Sequence, residues 1–402
     1  MATQNLLITL SGLDRPGVTK GLFTRLDATV VVLDIEQLVV RDRLVLAVLI
    51  DLEADLLVQT IVTVEAFARE LDLDFSIDPD VAESDSRKHD RIQITLLGAP
   101  LRPAAIKRVA EELSQRGANV DRIRRIARYP VTALLFEVSG ASASNMRRAL
   151  AQAAIATGTD IAVQDAGLDR RGQHLVVMDV DSTVIQNEVI DLLAEEAGVL
   201  AEVAGITERA MAGELDFAAS LRERVALLAG LPASAIQRVQ QRITLTPGAR
   251  TLCRTLNTLG YRVCLVSGGF IQVIAPLADE LGVDRVRANS LEIQDDKLTG
   301  RVLGPIVDRL GKREALEEFA VEFGIPMRRT IAIGDGANDI DMLEAAGLGV
   351  AFNAKAAARD AADTAVNVPY LDSVLYLLGI TRDDIEVADE QAGMTTPAPP
   401  VP

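Results

Sequence analysis

The chain has 402 residues, 49% of them hydrophobic and 25% charged, enough apolar material for several packed domains and too much for global disorder. Lys+Arg 41 against Asp+Glu 58 gives a net charge of −17, which opposes nucleic acid and anionic membrane as partners. Aromatic residues are 3%, Trp is absent, and the two cysteines are too few for a disulfide framework, so a base-stacking platform and a secreted disulfide scaffold are both excluded.

In chain order, residues 8–12 read ITLSG and residues 94–98 read ITLLG, each followed by Arg-Pro, at Arg15-Pro16 and Arg102-Pro103. Proline there suits the first turn of a helix leaving a strand, which predicts helices over about 16–27 and 103–116. The first segment continues with a hairpin, Val30–Val40, a turn at Arg41-Asp42 and Leu44–Leu52. It ends in a strand alternating as Leu73, Phe75, Ile77. The second repeats the order: Asn119–Arg128, a turn at Tyr129-Pro130, then Val131–Val138. Two tandem βαββαβ units of α+β, ferredoxin-like type follow from this pattern. The polar stretch Asp78–Asp90 is expected to link them, and composition shifts again at AGLDRRG, residues 166–172.

From Leu175 to about Ala388 strands alternate with helices, the pattern of a doubly wound parallel sheet in an α/β domain. Strand signals vanish between Val189 and Ile243, which predicts a helical cap. The expected domains are therefore 1–84, 91–168 and 173–388, with the cap at about 189–245 and a disordered tail over 389–402. The first residues, MATQNLLITLSG, carry no basic leader region and the apolar runs are only strand-long, so a cytoplasmic location is expected.

Chemistry concentrates at strand ends. A buried apolar strand at 175–178 runs into Asp179-Val180-Asp181-Ser182-Thr183, with two carboxylates on one face of extended chain at the sheet edge where ligands bind. An Asp-x-Asp alone often only ends a strand in a turn. Three further pieces follow in order. Ser267-Gly268-Gly269 comes after Val263–Val266, Lys312 after a strand-and-turn at Gly304–Asp308, and Asp335-Gly336-Ala337-Asn338-Asp339 after Thr330–Ile333. Carboxylates, a hydroxyl and one ammonium on adjacent strand ends suit a hard cation and a phosphate.

These four motifs resemble those of the haloacid dehalogenase-type phosphotransferases. The segment TERAMAGELDFAASLRERVALLAG, residues 207–230, with Glu188 ahead of it, resembles the phosphoserine phosphatase branch. The two front units resemble ACT domains, through their topology and the GLDRPGV loop, Gly12–Val18; GAPLRPA replaces that loop in the second unit. The resemblance implies hydrolysis of O-phospho-L-serine to L-serine and phosphate, the last step of L-serine biosynthesis, through an aspartyl-phosphate on Asp179. Asp181 is then general acid and base. A carboxylate meeting a phosphate dianion is repelled by of order 8 kcal/mol at ~4 Å and an effective dielectric of ~20, so neutralisation comes first. The resemblance assigns that task to Mg²⁺, held by Asp179, the backbone carbonyl of Asp181 and Asp335, and to Lys312. Ser267 and the Gly268 amide would bond the phosphoryl oxygens, and Asn338 and Asp339 would orient water or the surrounding ligands. Thr183 either orients Asp181 or caps the following helix.

For the amino-acid part, Glu188 is the implied ammonium binder and Arg224 the carboxylate binder, while Met211 and Phe217 form an apolar lid; by helical spacing alone those two are core residues and Arg224 a solvated one. Gly12, Asp14 and Gly98 lie where loop amides could hold a carboxylate, or where glycine only permits a turn. The ACT resemblance further implies a homodimer or larger, with L-serine as feedback ligand, and catalysis needing only the back half. A phosphatase of another small phosphomonoester or a phosphoprotein, and a catalytically silent amino-acid sensor, are the competing expectations.

Overall fold

The computed structural model describes residues 3–79, 81, 90–167, 172 and 174–397, with the side chain of Met211 excepted. The expected linker at 78–90 and the composition shift at 166–172 fall largely outside the described residues. The chain divides into two compact units, residues 1–87 and 88–402.

In the first unit β1 (Thr3–Leu13), α1 (Val18–Arg25), β2 (Val31–Val40), β3 (Arg43–Glu53), α2 (Leu57–Glu70) and β4 (Asp74–Pro79) follow in order. Their antiparallel sheet runs β2-β3-β1-β4. Alternate residues Leu6, Ile8 and Leu10 of β1 and Leu44, Leu46, Val48 and Ile50 of β3 are buried against Leu22, Val64 and Phe67 of the helices. The helix expected at 16–27 is shorter. It begins after Gly17, whose φ of +98° is left-handed and cannot continue a helix toward Pro16. All ten residues of β2 are exposed, including Leu38 at 58% and Val40 at 60%.

The second unit opens with β5 (Ile92–Gly98), α3 (Pro103–Gln115), β6 (Asn119–Ala127), β7 (Thr132–Ser139), α4 (Ala143–Thr157) and β8 (Asp160–Asp165), in a sheet ordered β6-β7-β5-β8. Pro103 stands at the start of α3, as expected. Both front segments are thus βαββαβ folds.

A seven-stranded sheet follows. Its strands are β9 (Leu175–Met178), β10 (Arg262–Phe270), β11 (Arg285–Gln294), β12 (Lys297–Leu303), β13 (Thr330–Gly334), β14 (Leu348–Phe352) and β15 (Thr364–Val366), ordered β12-β11-β10-β9-β13-β14-β15. All neighbours are parallel except β11 and β12, a hairpin that adds an antiparallel edge. Strand β9 is central and wholly buried, which is why it reads as an unbroken apolar run. Between β9 and β10 stand the helices α5 (Val189–Ala197), α6 (Leu200–Met211), α7 (Phe217–Ala226) and α8 (Ser234–Arg242), then α9 (Ala249–Thr258). The remaining helices are α10 (Ile271–Leu281), α11 (Arg309–Glu322), α12 (Ile340–Ala345), α13 (Ala356–Ala361), α14 (Val374–Leu377) and α15 (Arg382–Gln391).

Two expectations change here. Residues 304–308 form no strand; β12 has already ended at Leu303, and Asp308 instead caps α11 by accepting from the Gly311 amide at 2.9 Å. The tail expected to be disordered from 389 is ordered through 397. Helix α15 runs to Gln391, Thr396 Oγ1 donates to Asp389 at 2.6 Å, and Arg382 donates to the Pro397 carbonyl at 3.0 Å; residues 398–402 lie outside the described residues. The second βαββαβ fold also packs directly against the seven-stranded domain. Ile126, Val131, Leu135 and Ala162 belong to one apolar cluster with Leu371, Val374 and Tyr376. Asp160 accepts from the Asn367 amide at 2.7 Å and its side chain at 2.6 Å, Gln164 donates to the Leu377 carbonyl, and Arg147 pairs with Asp363 at 2.9 Å. Among the described residues no helix is long and apolar enough to cross a membrane.

Candidate active site

A cavity of about 630 Å³ opens where β9, β10 and β13 end, below α6 and α7. Asp179 follows β9 directly, its amide bonded to the Ile333 carbonyl of β13 at 2.9 Å. It is 3% exposed. Its Oδ1 accepts from the Val180 amide at 2.8 Å and lies 2.7 Å from Lys312 Nζ, while Oδ2 has no hydrogen bond among the described residues. Lys312, 1% exposed on α11, also donates to Asp339 Oδ1 at 2.7 Å. Asp339 Oδ2 in turn accepts from the amides of Asp335 and Gly336. Asp339 therefore fixes both the ammonium and the Asp335 loop, in line with the alternative expected for it of orienting the surrounding groups.

Asp181 is held from two sides. Its Oδ1 accepts from the Val189 amide at the start of α5 at 2.7 Å, and its Oδ2 accepts from Ser267 Oγ at 2.9 Å. Ser267 Oγ itself accepts from the Gly269 amide at 2.7 Å. The Ser267 hydroxyl thus faces Asp181, whereas the sequence reading gave it to a phosphoryl oxygen. Glycine at 269 is required by this approach, since a Cβ there would stand 2.8 Å from Asp181 Oδ2. Directly after Asp181 the chain turns through Ser182, whose φ of +57° is left-handed; its hydroxyl donates to Glu188 Oε1 at 2.8 Å. Thr183 donates to Asp335 Oδ1 at 3.3 Å, so it orients Asp335, neither of the two roles expected for it.

Burial is the first cause of the raised carboxyl pKa values in this pocket, and neighbouring negative charge the second at Asp179 and Asp335. Burial and the Asp339 charge push the Asp179 carboxyl up against the pull of Lys312. Burial alone would lower the Lys312 ammonium, but Asp179 and Asp339 hold it above its ordinary value. Burial, then Asp339, push Asp335 up to about 6, and burial raises Asp181. Carboxylate oxygens of Asp179, Asp335 and Asp339 all lie within 4.8 Å of one another. An all-oxygen donor set with surplus negative charge fits a hard divalent cation. Both oxygens of Asp339 already accept hydrogen bonds, whereas Asp179 and Asp335 each keep one oxygen with none among the described residues, so these two are the carboxylates fitted to hold it.

Glu188, Phe217, Arg224, Gly268 and Asn338 line the same cavity. Glu188 stands at its rim, where the surrounding protein and then the Asp181 charge push its carboxyl up to about 7. Arg224 is half-buried and donates through Nε to the Ser220 carbonyl at 3.3 Å, while its Nη groups make no hydrogen bond among the described residues; burial pulls its pKa below the ordinary value against the charges of Asp191 and Glu188. Phe217 lies over Gly268, where an added Cβ would meet its Cζ at 2.9 Å. The side chain of Met211 lies outside the described residues. Sequence reasoning missed Ser220, 1% exposed with an unpartnered hydroxyl in the cavity wall, and Lys355, whose charge lowers Asp335 and whose amide donates to the Asp335 carbonyl. Neither carries a local pattern.

The front positions are placed differently. Gly12 is inside β1, paired with Leu44, and a Cβ there would meet Leu73 Cδ2 at 2.5 Å. The Asp14 amide already donates to the Asp42 carbonyl, and Gly98 is buried, its added Cβ 2.9 Å from Leu101 Cα. Packing accounts for both glycines, and the Asp14 amide is not free to hold a carboxylate.

The central parallel sheet with its helical insertion, and the paired aspartates at the end of β9, define a haloacid dehalogenase-like hydrolase, and that family profile matches residues 176–344. ACT domain profiles match residues 4–78 and 91–164. Over 393 residues the chain is 55% identical to a phosphoserine phosphatase of Streptomyces coelicolor (96% of this chain, 95% of that one) and 49% identical to phosphoserine phosphatase SerB2 of Mycobacterium tuberculosis (96% of each). A crystal structure of a probable phosphoserine phosphatase from Vibrio cholerae, 33% identical, superposes with a TM-score of 0.58 over 77% of this chain and 91% of that one. The chain belongs to the phosphoserine phosphatase family, in the form that carries two ACT domains ahead of the hydrolase.

Proposed function

We propose that the chain hydrolyses O-phospho-L-serine to L-serine and phosphate through a phosphoryl ester on Asp179, as the last step of L-serine biosynthesis. The observation that carries this reading is one cavity lined by Asp179 and Asp181 for the phosphate and by Glu188 and Arg224 for the amino-acid end. Oδ2 of Asp179 attacks phosphorus while the bond from phosphorus to the serine oxygen breaks. Asp181, whose acidity burial weakens, gives its proton to that oxygen and then takes one from the water that attacks the ester. Lys312 holds Asp179 in place and adds positive charge beside the reacting group. Arg224 offers paired donors to the carboxylate, and Glu188 accepts the ammonium. Mg²⁺ on Asp179, Asp335 and the Asp181 carbonyl would supply charge neutralisation for the transferring phosphoryl group.

The ACT domains are proposed to set assembly as a homodimer and sensitivity to L-serine. The open edge of β2, with exposed Val31, Ile35, Leu38 and Val40, supports pairing with a second copy. Phosphate release from phosphoserine and from a panel of other phosphomonoesters, with Mg²⁺ and with or without L-serine, tests the whole reading. Preferential release from phosphoserine, reduced by L-serine, is expected. Preference for another ester would move the substrate, and no release from any ester would leave only a sensor.

A further inference from the structure

The ladder between β10 and β11 keeps register from Cys264–Arg285 to Ser267–Ala288, then jumps to pair Phe270 with Asn289. Gly268 and Gly269 are the residues squeezed out, so the motif glycines form a bulge at the cavity wall. A bulge leaves peptide groups without ladder partners, and Asn289 supplies them. It is 1% exposed, and its Nδ2 donates to the Gly268 carbonyl at 2.8 Å while its Oδ1 accepts from the Val307 amide at 2.8 Å. Its two neighbours, one an acceptor and one a donor, fix which way the amide faces.

The peptide plane between Gly268 and Gly269 is rigid, so fixing that carbonyl also fixes the Gly269 N–H on its other side. That N–H donates to Ser267 Oγ, and Ser267 Oγ donates to Asp181 Oδ2. One buried side chain therefore orients, through a single peptide plane, the hydroxyl that aims Asp181. Its other end ties down Val307, next to the residue that caps the helix bearing Lys312.

We propose that Asn289 is a positioning residue for proton transfer by Asp181, acting through the Gly268–Gly269 peptide and Ser267. The inference rests on the phosphomonoesterase reading above. Two variants test it: Asn289→Asp, which keeps the acceptor for Val307 but loses the donor to Gly268, and Asn289→Ala, which loses both. The readouts are kcat and KM for phosphoserine, whose alkoxide leaving group needs a proton, and for p-nitrophenyl phosphate, whose phenolate does not. Both variants should lose about 10²-fold in kcat/KM on phosphoserine, the quantity that reports phosphoryl transfer to Asp179 and not the later attack of water, as expected when a positioned acid is misaligned. On p-nitrophenyl phosphate kcat/KM should stay within about threefold of wild type. The ratio of the two activities does not depend on how much of a preparation is folded, so partial unfolding cannot imitate this result. Equal losses in kcat/KM on both substrates, or no loss on phosphoserine, would overturn the role of Asn289. Wild-type protein inactive on both esters would instead bring down the reading beneath it.

Discussion

The ammonium of Lys312 lies 2.7 Å from Oδ1 of Asp179 and is 1% exposed, so the charge that restrains the nucleophile has almost no access to solvent. Replacing it strands two buried carboxylates, Asp179 and Asp339. Lys312→Met should reduce kcat by about 10²–10³-fold and destabilise the protein by ~3–5 kcal/mol. Single-turnover kinetics and denaturant unfolding measure the two effects; near-normal turnover would remove Lys312 from the chemistry. Lys312→Arg should not rescue, because a planar guanidinium cannot occupy a site closed around a compact ammonium.

Asp179→Asn keeps the shape of the nucleophile and removes its charge. Turnover should vanish, together with any phosphate trapped covalently on the protein by rapid acid quench. Labelling that persists in this variant would move the ester to another residue.

Arg224→Ala should raise KM for phosphoserine by about 10–100-fold, the loss of a charge-assisted pair to the carboxylate. Its effect on p-nitrophenyl phosphate, which has no carboxylate, should be small. Equal changes on both substrates would show that Arg224 only shapes the cap.

Far from the cavity, Asp372 is 3% exposed with its Oδ2 3.6 Å from Arg382 Nη1. Burial pushes its carboxyl from 3.8 up to about 6 against the pull of Arg382. A carboxyl raised on folding binds its proton more tightly in the folded state. Its contribution is present in full below its unfolded value and is lost as pH rises through about 6. Denaturant unfolding should therefore show stability declining from pH 4 to pH 7 by up to ~3 kcal/mol from this group. Asp372→Asn should flatten that slope, and an unchanged slope would acquit the residue.

Cys253 and Cys264 are both fully buried, with thiols pushed up to about 12, chiefly by burial. Native protein should not react with a thiol-specific disulfide reagent, and unfolding should release two reactive thiols. Labelling in the native state would reveal an opening of α9 or β10.

Strand-end chemistry was legible from sequence because a central parallel strand must be apolar until it stops. Asp179 and Asp181 therefore stand out against residues 175–178, Asp335 directly follows β13, and Ser267 marks where the regular pairing of β10 with β11 breaks. Alternating residues likewise announced both βαββαβ folds. Bonds between distant side chains and backbone carried no such signal. Asn289 reaches residues 18 and 21 positions away, and Asp339 reaches Lys312 across 27, with nothing periodic to mark either pair. The early start expected for α1 failed on one backbone angle, at Gly17. Asp160 and Asn367, 207 residues apart, join two segments that composition alone separates.

That last junction shapes what evolution and engineering can do with the molecule. A chain cut at residue 168 would uncover oily surface that Val131, Leu135 and Ala162 now shield, and would sever the clamp on Asn367. Shedding the second ACT domain thus requires repainting the face it leaves behind.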